Sequence, residues 1–359
     1  MNIGVNIRYI IGEATGIGRY TKCILDELQR IDLENNYYLI EYARSDYELT
    51  NPKWKIIPQH SKIPGSLWLQ TAVPKMITKY NIDLFWSPEI LSPIFGVPKN
   101  VKIVTTVHDL LFLRYPKIYG TLLTVKNKIM FAQSLKKSAA LIPVSDYIKN
   151  ELLQFYPALQ SASKTIRTIS NAAKDHSYDN KRIERENFLF FPGNLDPRKN
   201  FFRLIKALEI VNASGMNIDL HLCGPVRWKN TELTKLLQDS PIKNRIKHLG
   251  YITDEELINQ YLSCKAVIFP SIYEGFGLPI LEALKLNTPV LTSKGTVMEE
   301  IAGENAMYFN PYDVNSIADT IIQFLKSGAI PINMESLKKY SWKQSAKNLL
   351  SVFEDSNQS

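Results

Sequence analysis

Glu274 and Glu282 stand eight residues apart in FPSIYEGFGLPILEALKL (Phe269–Leu286), and the rest of the chain is organised around that stretch. An apolar segment, Lys265–Pro270, runs into a turn holding Gly275 and Gly277, and the pattern predicts a helix from about Leu278. Pro279 is expected at the first helical position, where its missing N–H is unpaired in any case. Glycines at 275 and 277 let backbone approach a ligand closely, and the N–H groups and dipole of a helix start favour an anion. Glu274 beside that anion, and Glu282 about a turn inside the helix, would then reach for neutral hydroxyls. The ligand that fits is an anion with sugars at both ends: a nucleotide diphosphate sugar.

Three other groups could share that chemistry. Arg198 and Lys199 follow Pro197 at the mouth of a strand, just before a helix. They could balance a diphosphate without a metal, one as a forked donor and one as a point charge, or simply form a solvated basic loop. His108 precedes Asp109 at the carboxyl end of an apolar strand, the edge where open α/β sheets bind ligands, although a lone histidine is often structural. His60, His176, His221 and His248 have no partners at ligand spacing. The loop Gly12–Gly18 follows the first strand and opens a helix, a context suited to phosphate. Thr21 and Arg19-Tyr20 break both the dinucleotide fingerprint and the P-loop, so a structural tight turn is the competing account.

Several chemistries are excluded. The chain has no nucleophile elbow, no H-E-x-x-H, no paired cysteines and no Asp-x-Asp to bridge a metal to a diphosphate. Glu274 and Glu282 make a poor glycosidase pair, because a Gly-rich turn and Pro279 separate them.

The elements that must position these residues alternate apolar strands with amphipathic helices, the pattern of parallel sheets with crossovers. In the first half we expect strands at Met1–Tyr9, Tyr37–Tyr42, Trp54–Pro58, Leu84–Ser87, Val101–Val107, Ala139–Val144 and Thr165–Ile169. Helices are expected at Ile17–Ile31, Ser66–Tyr80, Thr121–Lys137 and Ser145–Phe155, with Ser145 as an N-cap. Asn171–Asn187 is polar and reads as a linker. The second half restarts with strand Phe188–Pro192. Helices follow at Phe201–Ala213, Asn230–Leu237, Asp254–Cys264, Val297–Ala302 and Asp313–Leu325. Strands follow at Ile218–Cys223, Ile246–Leu249, Pro289–Thr292 and Met307–Phe309. The closing helix, Trp342–Phe353, has nothing left to pair with in the second half. The architecture expected is α/β, two doubly wound halves facing across a cleft.

Composition sets the outer bounds. The chain has 359 residues, 45% hydrophobic and 22% charged, enough for two domains of ordinary size. No apolar run is long enough to span a bilayer, and the first residues read as a buried strand rather than a leader. Cys23, Cys223 and Cys264 lie far apart, which argues against a disulfide or metal framework and for a reducing cytoplasm. The net charge of +8 lies wholly in residues 1–175, with 22 Lys and Arg against 14 Asp and Glu, while the remainder has 21 of each. A basic half facing anionic lipid or a phosphorylated acceptor is one explanation, and lysine used for solubility is the other. Within that half, Lys126, Lys128, Lys136 and Lys137 with Leu122, Val125 and Ile129 form either a membrane-facing helix or an ordinary amphipathic one. Nucleic acid is not expected, because no element concentrates arginine with aromatics.

Taken together, EGFGLPILE, TGIGRYT, VTTVHDL, PVSDYIKNEL, GNLDPRKN, LGYITDEEL and PVLTS resemble the retaining glycosyltransferases of family 4, which have the GT-B fold. Glu274 and Glu282 would be the two ends of that family's E-x7-E motif. The resemblance implies a nucleotide-sugar-binding Rossmann-like domain at 188–335 and an acceptor-side Rossmann-like domain at 1–172. A linker at 173–187 and a final helix, 336–359, crossing back to the first domain complete the arrangement. It implies that Gly16 and Gly18 meet the donor β-phosphate, that His108 touches the donor sugar, and that Lys199 and Arg198 hold the diphosphate. Glu274 would bind sugar hydroxyls, N–H groups from Phe276, Gly277 and Leu278 would meet sugar and phosphate, and Glu282 would grip the ribose diol. Gly193-Asn194 departs from the Gly-Arg that many relatives have there, which places the clamp on Arg198 and Lys199.

The activity implied is retaining transfer with no metal and no other cofactor. His108-Asp109-Leu110 with Tyr115-Pro116, and the PRKN form, look most like the bacterial mannosyltransferase-type branch of O-antigen and capsule synthesis. That resemblance implies GDP-mannose as donor and a lipid-linked saccharide as acceptor, in the cytoplasm with peripheral contact at the inner membrane. UDP-glucose, UDP-N-acetylglucosamine and dTDP-rhamnose are the alternative donors. Two rivals are a GT-B sugar-nucleotide epimerase, which lacks an evident acid–base partner for His108, and a non-catalytic nucleotide-sugar-binding component of an assembly complex.

Overall fold

The computed structural model describes residues 1–11, 16–59, 61–174, 184–225, 235, 237–328 and 330–358. Four expectations fall at least partly outside them: residues 12–15 of the Gly12–Gly18 loop, residues 175–183 of the linker, most of the Asn230–Leu237 helix, and His60 with His176. The chain divides into two compact units, residues 1–172 with 340–359, and residues 173–339.

The first unit is built on seven strands: β1 (Asn2–Asn6), β2 (Asn36–Glu41), β3 (Trp54–Pro58), β4 (Leu84–Ser87), β5 (Lys102–Val107), β6 (Ala140–Pro143) and β7 (Thr165–Ile166). All pair in parallel in the order β3-β2-β1-β4-β5-β6-β7. The second unit contains β8 (Phe188–Pro192), β9 (Asp219–Cys223), β10 (Ile246–Gly250), β11 (Ala266–Phe269), β12 (Val290–Ser293) and β13 (Met307–Phe309). These are also parallel, in the order β10-β9-β8-β11-β12-β13. Every residue of β4, β6, β8, β11 and β12 is buried, as strands covered by helices on both faces require. Both sheets are doubly wound, as the alternation of elements predicts. Strand order across each sheet reverses its progression at one place, between β1 and β4 in the first unit and between β8 and β11 in the second. Ligands of such sheets bind outside the carboxyl ends of those strands.

Several helices begin where the sequence offers an oxygen to an unpaired N–H. Ser145 accepts from Ile148 N at 3.2 Å, and Asp313 caps Val314–Ser327 by accepting from Asn315 N. Thr253 and Glu256 form a reciprocal capping box at Asp254–Ser263. The expected Ser66–Tyr80 helix is instead two, Gly65–Thr71 and Val73–Lys79. Pro74 has no N–H to give to the carbonyl four residues back, so the ladder is interrupted there. Short helices at Leu111–Arg114, Pro116–Tyr119 and Met334–Leu337 were not expected.

The closing helix runs Trp342–Gln358 and packs with the first unit. Its Ala346, Leu349, Val352 and Phe353 share one apolar core with Ile24, Leu28 and Trp86. Ser345 Oγ donates to Ser170 O at 2.6 Å, and Arg167 pairs with Asp355 at 3.0 Å. Burying those four side chains supplies on the order of 1.5–3 kcal/mol each for the larger ones, which explains why a helix so late in sequence returns to the first sheet.

Candidate active site

At the reversal point of the second sheet, two loops leave β8 and β11 side by side and are tied together by hydrogen bonds. The β8 loop makes a 3-10 turn, Pro197–Lys199, capped by Asp196, whose Oδ1 accepts from Arg198 N at 3.1 Å. Asn200 then takes a left-handed conformation (φ 63°) and opens the Phe201–Ala213 helix. Its Nδ2 donates to Pro270 O at 3.1 Å and to Pro311 O at 2.6 Å. Ile272 N donates to Arg198 O at 2.8 Å. These bonds fix Arg198 and Lys199 relative to the loop that carries Glu274.

Glu274 is the hub. Its Oε2 accepts from Arg198 Nη1 at 3.0 Å, and its Oε1 accepts from Lys199 Nζ at 2.5 Å and from Ser271 Oγ at 2.8 Å. Lys199 is buried, and its ammonium also lies 4.4 Å from the centre of the Phe269 ring. Burial pulls the Lys199 ammonium down, and the neighbouring Glu274 carboxylate partly restores it. For Glu274, burial opposes ionisation, but Arg198 and Lys199 outweigh it and hold the carboxyl below the ordinary 4.5. The site is therefore an ionised buried carboxylate between two cations. The three residues singled out separately in the sequence meet at one point.

Gly277 (φ 94°) precedes the Leu278–Lys285 helix, a conformation in which a side chain would be strained. Leu278 is the first helical residue and Pro279 the second, one position later than expected, where its missing N–H is still an orphan. Phe276 is buried beside this turn. Glu282 lies on the buried side of the helix, and its Oε2 accepts from Tyr261 Oη at 2.9 Å. Tyr261, on the Asp254–Ser263 helix, is a partner that sequence reasoning missed. It sits inside LGYITDEEL's helix without any motif of its own, and its contact with Glu282 spans 21 residues.

The remaining expected residues belong to the first unit. Gly16 is the first residue of the Gly16–Ile31 helix, and a Cβ added there would meet nothing within 4 Å. Gly18 is buried two residues further on. His108 follows β5 and is half-buried, with its ring 4.8 Å from Tyr20 in an edge contact. Its Nε2 lies 2.9 Å from Pro88 O. A carbonyl oxygen only accepts, so Nε2 carries the hydrogen and Nδ1 is the acceptor of the neutral ring. Burial lowers the His108 pKa, which keeps that neutral form at pH 7.

A second charged cluster, unmarked in the sequence, occupies the reversal point of the first sheet. Glu89, just past β4, accepts from Asn6 Nδ2 at 2.6 Å and pairs with Arg8, just past β1. Burial pushes the Glu89 carboxyl up to about 7 against the pull of Arg8 and Asn6. The signal that could have found it is position: both residues follow strands that flank the reversal, which is visible only once strand order is known.

Among the described residues no group of three or more His, Cys, Asp or Glu is placed to hold a metal ion. No described helix is long and apolar enough to cross a membrane.

Two family models match consecutive parts of the chain, Glycosyltransferase Family 4 over residues 14–174 and Glycosyl transferases group 1 over residues 174–348. The chain belongs to glycosyltransferase family 4, and it is a glycosyltransferase. It is 26% identical over 281 residues to O-antigen chain mannosyltransferase B of Escherichia coli, covering 73% of this chain and 72% of that one. It is 29% identical over 211 residues to O-antigen chain mannosyltransferase RfbU of Salmonella typhimurium, covering 59% and 57%. The chain therefore spans somewhat over half the length of the second relative. Among solved structures, sucrose-phosphate synthase from Thermosynechococcus elongatus superposes with a TM-score of 0.77 at 18% identity, covering 99% of this chain and 98% of that one. Anabaena HepE in complex with UDP and glucose superposes with a TM-score of 0.73 at 16% identity, covering 99% and 100%. These likenesses define the fold as GT-B, two Rossmann-like domains.

Proposed function

We propose that the protein transfers a hexose, mannose from GDP-mannose, to a lipid-linked saccharide during cell-surface polysaccharide synthesis, with retention of anomeric configuration and without a metal. The observation that carries the donor reading is the convergence of Arg198, Lys199 and Glu274 at the reversal point of the second sheet, beside the Leu278 helix start. A nucleoside diphosphate there takes over the two cations, and Glu274 turns to hydroxyls of the sugar. The names of the two mannosyltransferase relatives support the sugar, and the UDP and glucose bound by HepE support a nucleotide-sugar donor.

In the reaction the bond from the sugar's anomeric carbon to the phosphate oxygen breaks, with the electron pair leaving on the diphosphate. Arg198, Lys199 and the helix-start N–H groups stabilise that developing charge, the kind of preorganised electrostatics worth most in a desolvated site. The acceptor hydroxyl bonds to the same face, and its proton passes to a phosphate oxygen of the leaving group. His108 contributes Nδ1 as an acceptor for a sugar hydroxyl, and Glu282 with Tyr261 holds the ribose diol. Gly16 and Gly18 leave room for the β-phosphate.

Thermal shift with GDP, UDP, dTDP and ADP tests this reading, because a ligand of the folded state raises apparent stability by mass action. GDP should raise Tm most. A larger shift with UDP or dTDP would replace the donor, and no shift with any of the four would contradict a nucleotide-sugar site.

A further inference from the structure

The Thr121–Lys137 helix is built inside out. Its inward positions include Thr124, Asn127 and Ser134, which are buried with Phe131 and Leu135. Its outward positions include Leu122, Val125 and Ile129, which are 87%, 51% and 61% exposed. The spacing of these three puts them on one face of the helix. Leu123 and, in the preceding Pro116–Tyr119 helix, Ile118 are also exposed apolar side chains. An apolar stripe of this kind ordinarily faces the core, and isolated exposed leucines need no explanation, but a contiguous row does.

The charge around this row has one sign. Between Asp109 and Asp146 the chain holds Arg114, Lys117, Lys126, Lys128, Lys136 and Lys137 and no Asp or Glu. Lys126, Lys136 and Lys137 lie on the same helical face as the apolar row, and all three are exposed. Lys126 Nζ donates to Ser66 Oγ at 2.8 Å, which holds that ammonium at the edge of the row. A protein partner would need to match a purely basic rim with acids. A bilayer with anionic headgroups supplies both halves of the match, acyl chains for the row and phosphates for the lysines.

We propose that this face seats the protein on anionic phospholipid, with Leu122, Val125 and Ile129 entering the headgroup–acyl boundary and Lys126, Lys136 and Lys137 pairing with headgroup phosphates. The proposal adds to the lipid-linked acceptor reading and gives that acceptor a place of approach, but nucleotide binding does not depend on it.

The test is flotation of the full chain with vesicles of equal parts phosphatidylglycerol and phosphatidylcholine, against vesicles of phosphatidylcholine alone. The protein should float with the anionic vesicles and remain with the soluble fraction otherwise, and raising ionic strength should weaken the binding. The triple variant Leu122→Ser, Val125→Ser, Ile129→Ser should lose about ten-fold or more in partitioning, as should Lys126→Gln, Lys136→Gln, Lys137→Gln. Both variants should keep the wild-type Tm and the wild-type nucleoside diphosphate response, because the altered side chains are exposed and none is among the residues assigned to the donor. Equal partitioning to neutral vesicles, no partitioning to either, or unchanged partitioning by the serine variant would overturn the proposal. So would wild-type self-association in sedimentation that the serine variant abolishes without vesicle binding, which would assign the face to a second copy of the chain.

Discussion

Lys199 holds its ammonium 2.5 Å from Oε1 of Glu274, in a place where both side chains are almost wholly removed from water. The buried cation is thus already neutralised in the free protein, and under the proposed function donor binding would exchange one anion for another. The exchange avoids the cost of leaving a buried charge alone in either state.

Replacing Glu274 with Ala separates its two duties. The change leaves Lys199 buried without its counter-charge, so Tm should fall, by the equivalent of on the order of 3 kcal/mol. Affinity for the nucleoside diphosphate should hold or improve, because the phosphates no longer compete with a carboxylate. Turnover should drop by a far larger factor. Calorimetric titration alongside initial rates would show it, and an equal loss of affinity and kcat would sink the sugar-contact role.

Lys199→Met should weaken nucleoside diphosphate binding about ten- to a hundred-fold, the range for losing a hydrogen bond to a charged group of about 1.5–3 kcal/mol. The parent nucleoside, which has no phosphates, should bind the variant and the wild type alike. Arg198→Lys should show a milder loss, since the forked donor to Glu274 and phosphate becomes a point charge. A Lys199→Met protein with unaltered diphosphate affinity would remove the clamp from this loop.

The Tyr261 hydroxyl and Glu282 form a buried pair, which orients the carboxylate that the proposed function assigns to the ribose. Glu282→Ala should weaken nucleoside diphosphate binding while leaving competition by inorganic pyrophosphate untouched. Tyr261→Phe should lower stability by about 1 kcal/mol and reproduce part of the binding loss. If pyrophosphate competition fell in parallel, Glu282 would be acting on the phosphates rather than on a diol.

Acid should act through Glu274. Its folded-state pKa lies below the ordinary value of 4.5, so the unfolded chain takes up a proton first as pH falls. The stabilisation is complete above 4.5 and is lost as pH drops through the lower folded value. Tm measured across that acid range should fall less steeply for Glu274→Gln than for wild type. Parallel curves would show that the pair contributes nothing to acid sensitivity.

Much of this fold was legible because periodicity and capping chemistry act locally. Trp54–Pro58, Leu84–Ser87, Thr121–Lys137, Phe188–Pro192 and Phe201–Ala213 occur with the bounds that their patterns predict. The cluster of Arg198, Lys199 and Glu274 was legible for a similar reason, since each residue follows a readable strand. What stayed hidden depends on distance along the chain. Arg8 and Glu89 meet across 81 residues, through a strand order that hydrophobic patterning does not encode. The helix pair around Pro74 was hidden because two periodic stretches kept one phase across the break. The Thr121–Lys137 helix shows the sharper limit. Its apolar spacing was visible, but whether Leu122, Val125 and Ile129 face inward or outward is decided by Phe131 and Leu135 taking the core side.

Under the proposed function the Arg198–Lys199–Glu274 cluster serves a nucleotide-sugar donor in sugar transfer without a metal. Its most direct test is to incubate the purified protein with radiolabelled GDP-mannose and a lipid-linked saccharide acceptor in the presence of EDTA, then follow label into the lipid phase. The account predicts label in the lipid phase, in an anomeric configuration matching the donor, and none with Lys199→Met. Release of free mannose alone, inverted product, or transfer that appears only when Mg²⁺ or Mn²⁺ is restored would contradict it.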